Sequence, residues 1–290
     1  MVSVLMTSYN RESFIAESID SVLAQTFLDY ELIIVDDNST DQTRDIILSY
    51  SGNSKIKIIF NEYNLGEYKN RNKAASFANR KYIKYLDSDD VMAVDCLELM
   101  VSKMEKHPSA AIGLMSYFND KINEFCEPLK PRELYNQFYF KGDLINCGPS
   151  STIIRRDIFE KLGGYNLEPY ISDTDFIFRI CAKHNAVVFP KKLILWREHP
   201  NQEFAYAQKI NYFEKNIFSY FLNYLESNSN PMDFVDKTIA LRNLKNRYSR
   251  KILLKLIKLD FGNVKACFKM YRLNYFDVLL SLFPNRYPKL

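Results

Sequence analysis

This 290-residue sequence predicts an α/β fold: a mostly parallel sheet with helices on both faces, followed by a C-terminal helical region. Three observations predict it. Short apolar strands alternate with amphipathic helices across residues 1–110, the pattern of a sheet covered on both sides. Two of those strands run straight into acids, at Asp36-Asp37 and at Asp87-Ser88-Asp89-Asp90. From about Asn201 onward the apolar spacing is helical throughout, with stripes such as Ile252, Leu253, Leu256 and Leu259.

The elements follow in order. Val2-Ser-Val-Leu-Met-Thr7 reads as a strand with a turn at Ser8-Tyr9-Asn10, and Ile15, Ile19, Val22 and Leu23 give a helix from about Glu12 to Gln25. Glu31-Leu-Ile-Ile-Val35 is a second buried strand. Ser39-Thr-Asp-Gln42 has capping-box form and predicts a helix carrying Ile46, Ile47 and Tyr50. Lys55-Ile-Lys-Ile-Ile-Phe60 is a third strand, Asn64-Leu-Gly66 a turn, and Ala74, Ala75 and Ala78 mark the next helix. Tyr82–Asp87 is the fourth strand, with a helix from about Asp95 to Lys106. Short strands, loops and two helices are expected from Ala110 to Trp196, punctuated by Gly148-Pro149 and Gly163-Gly164. Ser227-Asn-Ser-Asn-Pro231 is the linker candidate.

Three carboxylates after the fourth strand need cations, solvent or a function, because acids are almost never buried without partners. In open α/β sheets the C-terminal strand edge is where ligands sit. Asp87 and Asp89 are two apart, so in extended backbone both leave the same face. Two oxygen donors beside a crevice suit a phosphate-bound Mg²⁺ or Mn²⁺. The competing reading is a solvated turn entering the next helix, whose N-terminus favours carboxylates.

Composition narrows the function classes. Apolar content of 47% and charged content of 26% are globular values. No Gly-x-Gly-x-x-Gly follows the first strand and no Gly-Lys-Ser/Thr loop occurs, so dinucleotide and P-loop readings lose their support. Cys96, Cys126, Cys147, Cys181 and Cys267 are widely spaced without Cys-x-x-Cys, which argues for a reducing compartment rather than a disulfide framework or zinc. Cys147 reads as packing, and His107 and His184 as helix-end or surface residues. With no signal peptide and no bilayer-length apolar stretch, the expected location is the cytoplasm. Residues 242–290 hold twelve Lys or Arg against Asp260 and Asp277, whereas the whole chain carries only +4. A basic tail suggests an anionic partner surface, and no recognition motif points to nucleic acid.

At these residues the chain resembles the inverting family 2 glycosyltransferases, which have the GT-A nucleotide-sugar fold. The matching pieces are Val2–Asn10, Ser21–Phe27, Glu31–Ser39, Asn64–Gly66 with Arg71-Asn72, and Leu86–Asp90. Ser151–Arg156, Gly163–Tyr165, Asp173-Thr-Asp175 and Trp196–His199 continue the match. The resemblance implies a catalytic domain over 1–200, with a nucleotide-binding half (1–110) and an acceptor-side half (111–200), and a basic amphipathic helical extension over 201–290. It implies that Thr7, Tyr9 and Asp37 hold the nucleoside, with Tyr9 stacking on the base, Asp37 accepting from its edge and Asp36 behind them. Arg71 would lie near the base or diphosphate. Asp87 would reach the ribose or metal, and Asp89 would bind the metal directly. Asp173 matches the general base, and His199 a late histidine that closes the metal or diphosphate site in some members. Two departures stand out: Ser172-Asp173 where the family usually has Glu-Asp, and Trp196 in place of a tyrosine.

The chemistry is consistent on its own terms. A sugar diphosphate entering a carboxylate-rich crevice needs a divalent cation, Mn²⁺ or Mg²⁺, to offset repulsion. The acceptor hydroxyl needs a base on the opposite face of the sugar, and Asp173 opens a helical pattern with Phe176, Ile177 and Ile180. One base and one in-line displacement invert the anomeric centre. The expectation is a hexosyltransferase-type enzyme. It would move sugar from a nucleotide-diphosphate donor, a UDP-sugar, to a hydroxyl of a glycan or lipid-linked glycan, as in surface polysaccharide assembly. The alternative is a catalytically silent nucleotide-sugar-binding or scaffold subunit. A sugar nucleotidyltransferase would need a glycine-rich, Arg-containing opening loop that is missing. The amphipathic stretches Lys251–Lys258 and Tyr275–Phe283 read either as a helical subdomain or as peripheral contact with the inner face of the membrane through 242–290.

Overall fold

The computed structural model describes residues 1–115, 127–141, 144–145, 147–168, 170–189, 193–199, 202, 212–257, 264, 267–268 and 271–280. Cys126 lies outside them. The strands are β1 (Val2–Ser8), β2 (Tyr30–Asp36), β3 (Ile56–Phe60), β4 (Tyr82–Tyr85), β5 (Val91–Met92), β6 (Ala110–Met115), β7 (Thr152–Arg155), β8 (Asn185–Phe189) and β9 (Ile194–Leu195). The helices are α1 (Ile15–Leu23), α2 (Thr43–Ser49), α3 (Glu67–Ser76), α4 (Cys96–Lys106), α5 (Pro131–Asn136), α6 (Arg156–Lys161), α7 (Ser172–Cys181), α8 (Tyr212–Glu226), α9 (Phe234–Ile257) and α10 (Tyr275–Leu280).

Seven strands form one sheet in the order β3-β2-β1-β4-β7-β6-β8. The first four are mutually parallel, β7 runs antiparallel to β4 and β6, and β6 pairs parallel with β8. The mostly parallel α/β class is therefore as the sequence predicts. Apolar side chains of β1, β2 and β4 are buried on both faces, and on one face Val2, Val4, Met6, Leu32 and Ile34 pack with Ile15, Ile19 and Val22 of α1 and Leu97, Met100 and Met104 of α4. Full burial of a Val, Leu, Ile or Met stabilises by roughly 1.5–3 kcal/mol, so this layer fixes which strand ends share an edge. The parallel register pairs Thr7 with Val35 and Leu5 with Tyr85. The C-terminal ends of β1, β2 and β4 therefore meet at one edge.

Two local expectations are corrected. β4 ends at Tyr85, and the Asp90 amide donates to the Asp87 carbonyl at 3.0 Å, so the acids occupy a turn. Asp87 and Asp89 consequently do not share an extended face. The capping box does not form either: helix α2 starts at Thr43 without a side-chain cap, because the Ser39 hydroxyl donates to Asp36 at 2.5 Å. The buried carboxylate of Asp36 outcompetes the helix amides for that hydroxyl.

The chain divides into two compact units, Met1–Leu134 with Asp143–His199, and Tyr135–Gly142 with Pro200–Leu290. In the second unit, the rings of Phe218, Tyr248 and Tyr271 contact one another at 4.7–5.4 Å between centroids. Ser227–Pro231 is not a linker between domains. It is the turn joining α8 to α9, and buried Asn230 donates from Nδ2 to the carbonyls of Tyr224 and Leu225. No described helix is long and apolar enough to cross a membrane.

Candidate active site

Sheet register brings the nucleoside candidates to one edge. Thr7 lies on β1, and Tyr9 follows it, 44% exposed. Asn10 takes a left-handed φ of 51° and accepts through Oδ1 from the Thr40 amide at 2.9 Å, which fixes this turn against the one after β2. Asp36 is fully buried and accepts from the hydroxyls of Ser8 (3.0 Å) and Ser39. Asp37 holds the Asn64-Leu65-Gly66 turn: its Oδ1 accepts from Asn61 Nδ2 (2.6 Å) and the Leu65 amide (2.8 Å), and its Oδ2 from the Gly66 amide (2.9 Å). Gly66 needs its φ of 84°, which a side chain would strain. A carboxylate oxygen accepts more than one bond, so Oδ2 retains accepting capacity.

The acid turn is supported from below. Lys84, fully buried in β4, donates to the carbonyls of Tyr85 and Ser150, and burial pulls its ammonium below the ordinary lysine range. Ser150 in turn accepts through Oγ from the Asp87 amide at 2.9 Å. Asp90 is fully buried and receives the Arg197 amide through Oδ1 at 3.3 Å. Burial, reinforced by Asp87 and Asp89, pushes its carboxyl up to about 8.

Asp87 and Asp89 face different partners. Asp87 Oδ1 lies 2.7 Å from Arg71 Nη2. Asp89 Oδ2 meets Arg11 Nε at 3.1 Å and His199 Nε2 at 3.0 Å. The β5–β9 pairing delivers His199, because Val91 opposite Leu195 returns residues 193–199 to the acid turn. Its ring is then fixed by stacking on Phe14 at 4.6 Å. No cluster of three His, Cys, Asp or Glu that could hold a metal occurs among the described residues. The donor set nonetheless fits an ion that takes one or two protein ligands and completes its shell with substrate phosphates. Asp89 and His199 supply an oxygen and a nitrogen side by side, 3.0 Å apart.

Asp173 stands in the first turn of α7, partly open to solvent, and its Oδ1 accepts from the Thr174 amide at 2.7 Å. It is not the helix cap, a position held by Ile171. Burial pushes its carboxyl up to about 6, against the lowering pull of the Thr174 amide and the Arg71 guanidinium. Arg71 thus connects two carboxylates: it contacts Asp87 and donates to Glu67, its i,i+4 partner, at 3.1 Å. Burial likewise lifts Glu67 to about 7. Arg71 Nη1 is buried with no hydrogen-bond partner among the described residues, an unused donor on a cation.

Sequence reading passed over Arg11, Glu67, Lys84 and Ser150. Only Lys84 carried a signal, a lysine interrupting an apolar strand. Cys147 is buried packing, its thiol pushed up to about 12 by burial.

Together, the parallel half-sheet, the acid turn at its C-terminal edge and the antiparallel β7 insertion define a GT-A-type glycosyltransferase fold. The chain belongs to glycosyl transferase family 2: the model of that family matches residues 3–163. It is 39% identical over 151 residues to the UDP-Glc:alpha-D-GlcNAc-diphosphoundecaprenol beta-1,3-glucosyltransferase WfgD of Escherichia coli, a match covering 51% of this chain and 56% of that protein. The chain thus spans little more than half the length of that relative. Among solved structures, it is similar to S. aureus TarS 1-349 in complex with UDP-GlcNAc, with a TM-score of 0.62, 19% identity and coverage of 94% and 93% of the two chains. It is also similar to the mannosyltransferase PcManGT from Pyrobaculum calidifontis in complex with GDP-Man and Mn2+, with a TM-score of 0.59, 15% identity and coverage of 98% and 88%.

Proposed function

We propose that this glycosyltransferase moves a sugar, with inversion, from a UDP-sugar to a hydroxyl of a lipid-linked glycan in surface polysaccharide assembly. The observation that carries the reading is the buried Arg71 guanidinium, which pairs with the first acid of the turn at 2.7 Å and keeps Nη1 without a partner among the described residues. The E. coli relative's named donor and lipid-linked acceptor support the substrate classes.

In this reading Tyr9 stacks on the base, with Thr7 and Asp37 beside it, and Asp87 orients the ribose. The unpartnered Nη1 of Arg71 meets a phosphate oxygen. Asp89, with His199, would hold Mn²⁺ or Mg²⁺, which when bound neutralises charge on the departing diphosphate. Asp173 takes the proton of the acceptor hydroxyl as its oxygen bonds to the anomeric carbon. The bond from that carbon to the diphosphate oxygen breaks, and its electron pair leaves with the nucleoside diphosphate. A carboxyl that titrates near 6 is ionised at neutral pH yet more basic than an ordinary aspartate, which suits this step. Donor consumption with Mn²⁺, compared between wild type and Asp173→Asn, tests the reading; equal rates would remove Asp173 from it. A thermal-shift panel of nucleotide sugars with and without Mn²⁺ tests the donor and metal.

The second unit supports peripheral binding to an anionic bilayer through residues 242–290. Exposed Leu254, Ile257, Phe276 and Leu279 lie on α9 and α10, among the lysines and arginines of that basic stretch. Sedimentation of the full chain with phosphatidylglycerol vesicles is expected, and with phosphatidylcholine vesicles it is not. Equal recovery with both would refute an electrostatic contact.

A further inference from the structure

Asp89 Oδ2, the oxygen assigned above to a divalent ion, already faces a cation of the chain itself, the Arg11 Nε at 3.1 Å. This contact is built rather than incidental. Arg11 Nη1 donates to the carbonyls of Tyr9 and Asn10, each at 3.1 Å, and the Arg11 amide donates to Thr43 Oγ1 at 2.7 Å. Both side chains are largely enclosed, 17% and 10% exposed, where ion pairing is screened less than at the surface. His199 approaches the same oxygen through Nε2 at 3.0 Å, from a ring clamped on Phe14, which also lies under the Arg197 guanidinium at 5.5 Å.

We propose that Arg11 is a resident counter-ion competing with the divalent cation for Asp89, so that the site takes metal weakly until a donor diphosphate gives Arg11 another anion. The inference rests on Asp89 being the metal ligand of the proposed function. Its reasoning is electrostatic. A divalent ion on Oδ2 would sit beside Nε or displace it, and in either case the guanidinium and the metal would repel each other within a few ångströms. A diphosphate offers both cations oxygen acceptors and removes the conflict. By linkage, nucleotide must strengthen metal binding as much as metal strengthens nucleotide binding.

The test is Mn²⁺ binding to the full chain, read from the free-ion electron paramagnetic resonance signal, with and without UDP. Without UDP, Arg11→Gln is expected to bind Mn²⁺ about tenfold more tightly than wild type, within the usual range of coupling between sites. Arg11→Lys, which keeps the charge, is expected to stay near wild type. With UDP the gap between Arg11→Gln and wild type closes. Equal or weaker Mn²⁺ binding by a folded Arg11→Gln, while wild type binds Mn²⁺ with UDP, overturns this inference alone. Should Arg11→Gln fail to fold, Arg11→Lys decides: wild-type Mn²⁺ affinity that UDP does not raise in either protein overturns the inference. Absence of Mn²⁺ binding by every protein, with and without UDP, overturns the metal assignment as well.

Discussion

Arg71 Nη2 stands 2.7 Å from Asp87 Oδ1 and 3.1 Å from Glu67 Oε1, so one buried cation ties the acid turn after β4 to the first turn of α3. Tyr85 reinforces the junction from beneath, donating its hydroxyl to the Arg71 carbonyl at 3.0 Å. The arrangement concentrates carboxylates around a guanidinium that still has a donor to give.

Removing that guanidinium leaves Asp87 and Glu67 without the cation they share. Arg71→Ala is expected to lose about 2 kcal/mol of stability, because charged hydrogen bonds break at a site still partly reached by water. Nucleotide binding should fall further than stability. Thermal unfolding with and without UDP and Mn²⁺ separates the effects, and a variant that UDP still stabilises as it does wild type would dismiss Arg71 as an anion contact.

Asp173→Asn is expected to lower the transfer rate by about 10²–10⁴ while leaving the fold intact. In wild type, kcat/KM should rise as pH increases through about 6, where the carboxyl ionises. Its effect on stability has the opposite sign. The folded-state value lies above the unfolded one, so the contribution is fully present below about pH 4 and is lost as pH rises through about 6. Asp173→Asn should therefore reduce that decline in unfolding measurements from pH 4 to 8, leaving the share of Glu67 and Asp90, and an unchanged decline would remove Asp173 as a contributor.

What the sequence disclosed was the part governed by local pattern. The four parallel strands and their helices follow from short apolar runs and helical spacing, and the shared acid edge from where Val35 and Leu86 give way to aspartates. What it concealed depends on contacts across the chain. The pairing of β5 with β9 places His199 beside Asp89, 110 residues away, through strands too short for any periodicity to register. Arg11 and Glu67 look like surface charges of two helix starts until the sheet brings them to the acids. The sequence leaves Asp87–Asp90 open between an extended edge and a turn for a related reason. Lys84 of β4 and Ser150, ahead of β7, anchor the turn together, and nothing in the local sequence reports that the two meet.

That anchor makes Lys84 a second point of test. Its ammonium is fully buried, and an apolar residue of similar length recovers the desolvation it costs. Lys84→Met is expected to keep the melting temperature within a few degrees, since lost hydrogen bonds and lost desolvation oppose each other. The Ser150 carbonyl is freed, however, and with it the hydroxyl that receives the Asp87 amide. UDP affinity with Mn²⁺, by calorimetry, should drop about tenfold, a loss of roughly 1.4 kcal/mol; wild-type affinity would mean that the acid turn holds its shape without Lys84.

Gly164 is a backbone position that tolerates no side chain. It takes a φ of 67°, and a Cβ there would stand 2.6 Å from Asn72 Oδ1 and 3.2 Å from the Phe159 ring. Asn72 cannot yield freely, because its Oδ1 accepts from the Tyr165 amide at 2.9 Å and its Nδ2 donates to the Tyr165 carbonyl at 2.8 Å. This clasp holds α3, with Arg71, against the segment leading to α7 and Asp173. Strain of the left-handed backbone and the steric clash together give an expected loss of about 3 kcal/mol for Gly164→Ala. Gly52→Ala is the control, since Gly52 has no atom within 4 Å of its Cβ position and no left-handed φ. A melting temperature that falls by about 8 °C for the first variant and holds for the second is the expected result. Equal behaviour of the two would mean that the clasp between Asn72 and Tyr165 moves aside without cost.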